Sequence, residues 1–257
     1  RDTVDFELSE TTETMLAMID EFMREKVLPL ERFFLAEPFG ELEPKIEEKR
    51  RAVKQMGLWA PNHPEEHGGM GLDLVDHGLV SEALGISPLG HYVFGCHAPD
   101  AGNIEILHLH GTPEQQERWL GPLVAGEIRS CFSMTEPEMP GSNPVMMETT
   151  AVVDGDDYVI NGQKWYTTAA DGAELAVVMA VTDPEAPPHQ RASMILVPTD
   201  TPGFENLRAM NVFSMDDAPH GHMQMTFTDV RVPGENIILG RGRGFEISQG
   251  RLGPGGV

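Results

Sequence analysis

The sequence predicts an α+β chain. An all-α helical N-terminal domain covers residues 1–126, and a β-barrel or β-sandwich-like domain covers 127–239. The start of a C-terminal helical domain covers 240–257, and the bundle it would open is expected to be missing from the chain. Three observations predict this. Apolar residues recur at spacings of three and four in the first half. From about Cys131 they alternate, or run unbroken, between tight-turn dipeptides. After Gly240, Gly242 and Gly244 the chain begins like a helix again at Phe245.

The elements follow in order. Leu16, Ile19, Met23 and Val27 fall along one helical stripe that Pro29 should break. A second helix is expected from about Pro44, a first-turn residue, to Gly57, a C-terminal cap. A third should cover 74–84 and stop at Gly85. Thr112-Pro113-Glu114-Gln115 is a start signal with a capping box, a proline at the first position and a glutamine at the third. Strands are expected at 149–153, 158–160 and 163–168, separated by Asp154-Gly155 and Asn161-Gly162, dipeptides that favour type I′ turns. Buried strands should follow at 175–181 and 194–197. A half-buried strand at 222–228 would carry Met223, Met225 and Phe227 on one face. Loops rich in proline and polar residues separate them at 183–191 and 198–203.

Composition excludes several classes of function. Forty-one acidic residues against 18 Lys and Arg leave a formal charge of −23, which repels nucleic acid and anionic membranes alike. No apolar run approaches the roughly 20 residues of a membrane span, and residues 1–5 do not open a signal peptide. Cys96 and Cys131 are too few for a disulfide framework and lack metal-site spacing, so a reducing, cytoplasmic setting is expected. Cys96 reads as a small buried side chain. His108 and His110, two apart on a helix, face different ways and make no metal site. The 240–244 glycines read as a turn, because no strand–turn–helix context supports a dinucleotide fingerprint.

Two stretches carry chemistry. Cys131-Phe132-Ser133-Met134-Thr135-Glu136-Pro137, followed by Gly141-Ser142-Asn143, is a strand end entering a loop of hydroxyls and backbone N–H groups. Such a loop can grip a polar heterocycle or a phosphate, or be an ordinary loop beside two core residues, Phe132 and Met134. In Gly162-Gln163-Lys164-Trp165-Tyr166-Thr167-Thr168, a strand would put Trp165 and Thr167 on one face. A flat aromatic beside a hydroxyl suits a planar ring with a polar rim; a core tryptophan is the plainer reading.

Together these stretches resemble the acyl-CoA dehydrogenase flavoprotein family, and the likeness extends over essentially the whole chain. Gly57-Leu58-Trp59-Ala60-Pro61, Glu66-His67-Gly68-Gly69-Met70-Gly71-Leu72, Asp229-Val230-Arg231-Val232-Pro233 and Gly242-Arg243-Gly244-Phe245 support it by their order and spacing. The wording is similar to the branch whose eukaryotic members are fused to a phosphotransferase-like domain.

The resemblance implies a FAD enzyme of fatty-acid β-oxidation that forms a trans-2-enoyl-CoA and passes electrons to an electron-transfer flavoprotein, as a homodimer or homotetramer (mitochondrial if eukaryotic). It assigns Phe132, Met134, Thr135, Trp165 and Thr167 to the flavin, Ser142 to FAD phosphate or CoA, and Phe245 to the substrate side. Catalysis there needs a carboxylate that takes the α-proton, and the family keeps it in the C-terminal bundle. No acidic residue here inherits that role: Glu136 belongs to the flavin loop and Asp229 to the β-domain exit. Where many relatives carry an arginine in the bundle's opening helix, this chain has Gly256, and truncation is the expected cause. Two other readings stand beside this one. The chain could be a non-catalytic FAD- or acyl-CoA-binding subunit of a hetero-oligomer, or a flavin monooxygenase on the same scaffold.

Overall fold

A computed structural model describes residues 7–213 and 221–251. Gly256 and residues 1–5 therefore lie outside the described residues. By packing, the chain divides into two compact units, one ending at His97 and the other beginning at Ala98.

In the first unit, helix α1 spans Glu10–Phe22. The Ser9 side chain caps it by accepting from the Thr12 N–H. Met15, Ile19 and Phe22 are buried along its stripe, and a π turn over Met23–Val27 carries Met23 and Val27 inward as well. A 3₁₀ turn containing Pro29 and a short helix α2 (Glu31–Phe34) follow. Helix α3 spans Phe39–Gln55 and starts five residues before Pro44, the start expected from sequence. Leu42 and Ile46, fully buried on either side of the proline, hold the helix through the hydrogen bond it lacks. Gly57 ends it at φ 74°.

Helix α4 is Leu74–Leu84, capped by Asp73, which accepts from the Val75 and Asp76 N–H groups, and it ends at Gly85 as expected. Helix α5 (Gly90–Phe94) packs on α3 around Arg50. That buried guanidinium lies between the Trp59 and Tyr92 rings, donates to the Tyr92 carbonyl and pairs with Glu47. Cation–π contact on two faces replaces the solvation that burial removes.

The second unit opens with helix α6 (Asp100–His110). Helix α7 (Pro113–Gln115) carries the predicted capping box and continues through a π turn into α8 (Gly121–Ala125). These helices belong by packing to the same unit as the sheet. Among the described residues seven strands form one mixed sheet: β1 Ser130–Ser133, β2 Thr150–Asp154, β3 Asp157–Thr168, β4 Leu175–Val181, β5 Ala192–Pro198, β6 Phe204–Ala209 and β7 His222–Pro233. Strand β4 runs parallel to β1 and β2 and antiparallel to β5; β2–β3, β3–β7 and β7–β6 are antiparallel. The core includes Cys131, Ile160, Val178, Val197, Met225 and Phe227. Helix α9 (Gly244–Arg251) follows the glycine turn.

Three expectations are corrected here. Asn161-Gly162 does not turn the chain, because β3 runs straight through it as one strand. The dipeptide lies opposite a bulge in β7 instead: between the pairs Ile160–Val230 and Gly162–Phe227, Thr228 and Asp229 (φ 50°) together face Asn161, and Gly162 sits at φ 154°, where a Cβ would come 2.4 Å from Thr149 Oγ1. The Asn161 amide reaches across to Asp229, accepting from its N–H and donating to its carboxylate. At the β2–β3 hairpin the central residues are Gly155 and Asp156, and of the two only Gly155 has positive φ, the pattern of a II′ turn. Strand β6 was not anticipated, since its burial is slight throughout and leaves no alternation to read.

Candidate functional site

The site is built where β1 gives way to the loop after it. Strand β1 is clamped at its start: Asp100 Oδ1 accepts from the Ser130 N–H (2.7 Å) and hydroxyl (2.5 Å), and Asn103 donates to the same hydroxyl at 2.9 Å. At its end the buried Ser133 hydroxyl meets Met225 Sδ at 3.4 Å. The chain then crosses β3, and two successive loop carbonyls are taken up there. Lys164 Nζ donates to the Met134 carbonyl at 2.8 Å, and the Trp165 N–H donates to the Thr135 carbonyl at 3.0 Å.

Lys164 is fully buried and also pairs with Glu136 Oε1 at 2.9 Å. Glu136 in turn accepts from the Glu148 N–H at 2.6 Å and the Thr149 N–H at 2.9 Å. Burial lowers the Lys164 ammonium to about 8, with Glu136 offsetting part of that cost. Burial pushes the Glu136 carboxyl up, but Lys164 first, then the Glu148 N–H and Thr149, more than reverse it, so the net shift is downward. Glu136 is committed to this network, and Asp229 to Asn161. Sequence reasoning left Lys164 without a role. The signal was the period-two run Tyr158, Ile160, Gly162, Lys164, which places Lys164 inside once Asn161-Gly162 is read as part of a strand.

The structure brings together Phe132, Met134, Thr135, Trp165 and the neighbourhood of Ser142. Phe132, Met134, Thr135 and Trp165 are half-buried. Ser142 is exposed, but its neighbour Gly141 lies against Thr135, whose Cγ2 would stand 2.9 Å from an added Cβ. Trp165 and Thr167 do not sit in simple alternation on one face. A second bulge at Tyr166, φ 48°, shifts the register so that Lys164 and Thr167 are the buried pair while Trp165 stays half-buried. Thr167 Oγ1 is buried without a hydrogen-bond partner among the described residues.

Arg251, at the end of α9, stacks on the Phe132 ring at 4.4 Å. It packs so tightly over Gly102 that a Cβ there would come 2.7 Å from its Nε. Phe245 lies at the other end of α9, where its ring meets His189 at 4.4 Å, and it is not brought to the 132–135 cluster. Cys96 and Cys131 are buried, and burial pushes both thiols up to about 12, so neither offers a thiolate near neutral pH.

A planar group with a polar rim fits this seam. Trp165 and Phe132 supply flat apolar surface. The Thr167 hydroxyl is an orphaned buried polar atom, and the Thr135 N–H meets no acceptor among the described residues. Unmet polar groups of this kind beside aromatic walls are what a flavin ring would satisfy.

Residues 9–127 match the family profile "Acyl-CoA dehydrogenase, N-terminal domain", and residues 131–230 match "Acyl-CoA dehydrogenase, middle domain". The chain is 43% identical over 261 residues to acyl-CoA dehydrogenase family member 10 of Mus musculus, covering 97% of this chain and 24% of that protein. It is 41% identical over 257 residues to family member 11 of Homo sapiens, covering 95% and 32%. It therefore spans about a quarter to a third of the length of these curated relatives. A solved acyl-CoA dehydrogenase-type structure from Mycobacterium abscessus superposes with a TM-score of 0.92 at 40% identity, covering 97% of this chain and 65% of that one.

Proposed function

Because the chain belongs to the acyl-CoA dehydrogenase family, we propose that its gene product is a FAD-dependent enzyme that introduces a trans-2 double bond into an acyl-CoA thioester and passes the electrons to an electron-transfer flavoprotein. The observation that carries the reading is the seam between the 132–136 loop and β3, where two backbone-level hydrogen bonds fix aromatic surface beside unmet polar groups. FAD, when bound, supplies the hydride acceptor.

The chain's own residues hold and orient. Trp165 covers one side of the ring, Phe132 and Met134 give apolar contact, and Thr135 and Thr167 offer hydrogen bonds to polar ring positions. Ser142, exposed on its loop, is placed for a phosphate of FAD or CoA, and Phe245 lines the substrate side. The α-proton is taken by a carboxylate outside residues 1–257, in a C-terminal bundle that also completes the flavin site. This reading keeps the functional division at 1–126, 127–239 and 240–257. Relatives several times longer than this chain fit the branch with a fused further domain. Assembly is a homodimer or homotetramer, in a reducing compartment suited to two free cysteines. Among the described residues no helix is long and apolar enough to cross a membrane.

The gene product should purify yellow, and the cofactor released by heat should be FAD. Anaerobic addition of an acyl-CoA should bleach it. Released FMN, or no flavin after reconstitution, overturns the reading.

A further inference from the structure

We propose that Lys164 and Glu136 act as a positioning device that orients and polarises the peptide between Met134 and Thr135, so that its N–H is presented as a strong donor to the polar edge of the bound flavin. The proposal rests on the FAD reading above.

Lys164 has no solvent exposure and sits on a strand face otherwise lined by Tyr158 and Ile160. An ammonium there is costly unless its donors are met. Two acceptors meet it, the Glu136 carboxylate at 2.9 Å and the Met134 carbonyl at 2.8 Å. Glu136 is pinned by the Glu148 and Thr149 N–H groups, so the lysine is itself held in place.

Peptide geometry turns that contact into an orientation. In a planar trans peptide the carbonyl and the N–H point in opposite directions. With the Met134 carbonyl drawn onto Lys164, the Thr135 N–H faces away from the lysine, and it finds no acceptor among the described residues. The next carbonyl, that of Thr135, is held by the Trp165 N–H at 3.0 Å, so the peptide cannot flip without breaking contacts on both sides. A cation bound to an amide carbonyl also strengthens the N–H of the same amide, because linked hydrogen bonds polarise one another. Lys164 thus works on the flavin through one peptide, without touching it.

The test uses the intact holoprotein with Lys164→Met, Lys164→Gln and Glu136→Gln. Three quantities are read: the FAD dissociation constant, the midpoint potential of the bound flavin, and the melting temperature of the FAD-free protein. Lys164→Met should weaken FAD about tenfold, the scale of one lost charge-assisted hydrogen bond. It should also lower the potential, since the reduced ring loses its donor. Lys164→Gln, which keeps a neutral donor, should fall between Lys164→Met and wild type, and it decides the matter alone if Lys164→Met does not fold. Glu136→Gln should move the potential in the same direction by a smaller step. A folded variant with unchanged potential, whether or not its melting temperature falls, means the pair is merely structural and overturns the proposal alone. A wild-type protein that takes up no FAD overturns the FAD reading and this proposal with it.

Discussion

Trp165 separates a cofactor contact from a core contact at the level of one side chain. It is half-buried, its backbone N–H is committed to the Thr135 carbonyl, and its ring meets that of Tyr166 edge-on at 5.3 Å. A ring held only by the core would be fully buried, whereas this one is partly exposed. Trp165→Ala should weaken FAD binding by about 3 kcal/mol, from lost stacking and the gap left behind. Thermal melts with and without FAD check it: the FAD-induced rise should shrink while the melt of the FAD-free protein moves little. Equal loss in both would make Trp165 a core residue. The 132–137 stretch was legible as a strand end entering a loop of hydroxyls, because that chemistry is local. The orphaned Thr167 hydroxyl was not, because its burial depends on a bulge one residue earlier.

Elements were most legible where they carry their own stop signals. Helix α4 matches its expected bounds because Asp73 caps one end and Gly85 closes the other. Strand β3 was misread because Asn-Gly fits two structures, a I′ turn and a strand facing a bulge in its partner. The partner strand decides between them: Asp229 on β7 takes both groups of the Asn161 amide. No local pattern contains that information.

Helices α4 and α5 also carry a pH dependence. Burial lowers the pKa of both His77 and His91, and the charges of His77 and His97 lower His91 further. The unfolded chain then takes up protons at the ordinary value of 6.5 while the folded one resists. The stability these groups contribute is whole above that value and falls as the pH drops through it. Urea midpoints at about pH 7.5 and about pH 5.5 check this. Wild type should lose more between the two than His77→Gln/His91→Gln, and equal losses would remove the histidines from the account.

At the scale of the whole molecule the acidic balance and the division of labour go together. A formal charge of −23 leaves few cations, and one of them is spent fully buried on Glu136 and Met134. Glu136 in the seam is taken up by Lys164 and two backbone N–H groups, and the proposed reading puts proton abstraction on a carboxylate outside residues 1–257. Residues 1–257 expressed alone and saturated with FAD should therefore not bleach when an acyl-CoA is added anaerobically. General acid–base help is worth roughly 10²–10⁴ in rate. Stopped-flow absorbance of the flavin band checks this against the intact gene product, which should bleach readily. Comparable rates in both would mean that a carboxylate within 1–257 is the base.

The place of Asn161-Gly162 inside β3 has a consequence for chemical ageing. An asparagine followed by glycine is prone to lose its amide, because the unhindered glycine nitrogen can attack the side-chain carbonyl when the chain is free to bend. In β3 the strand keeps the backbone extended, and Asp229 holds both ends of the amide. Deamidation would replace the donor facing Asp229 by a second carboxylate, a repulsive pair at the seam of β3 and β7. Damage at Asn161 should thus accumulate in molecules whose β3–β7 edge has opened, recording as a small gain in mass how long each copy has spent unfolded.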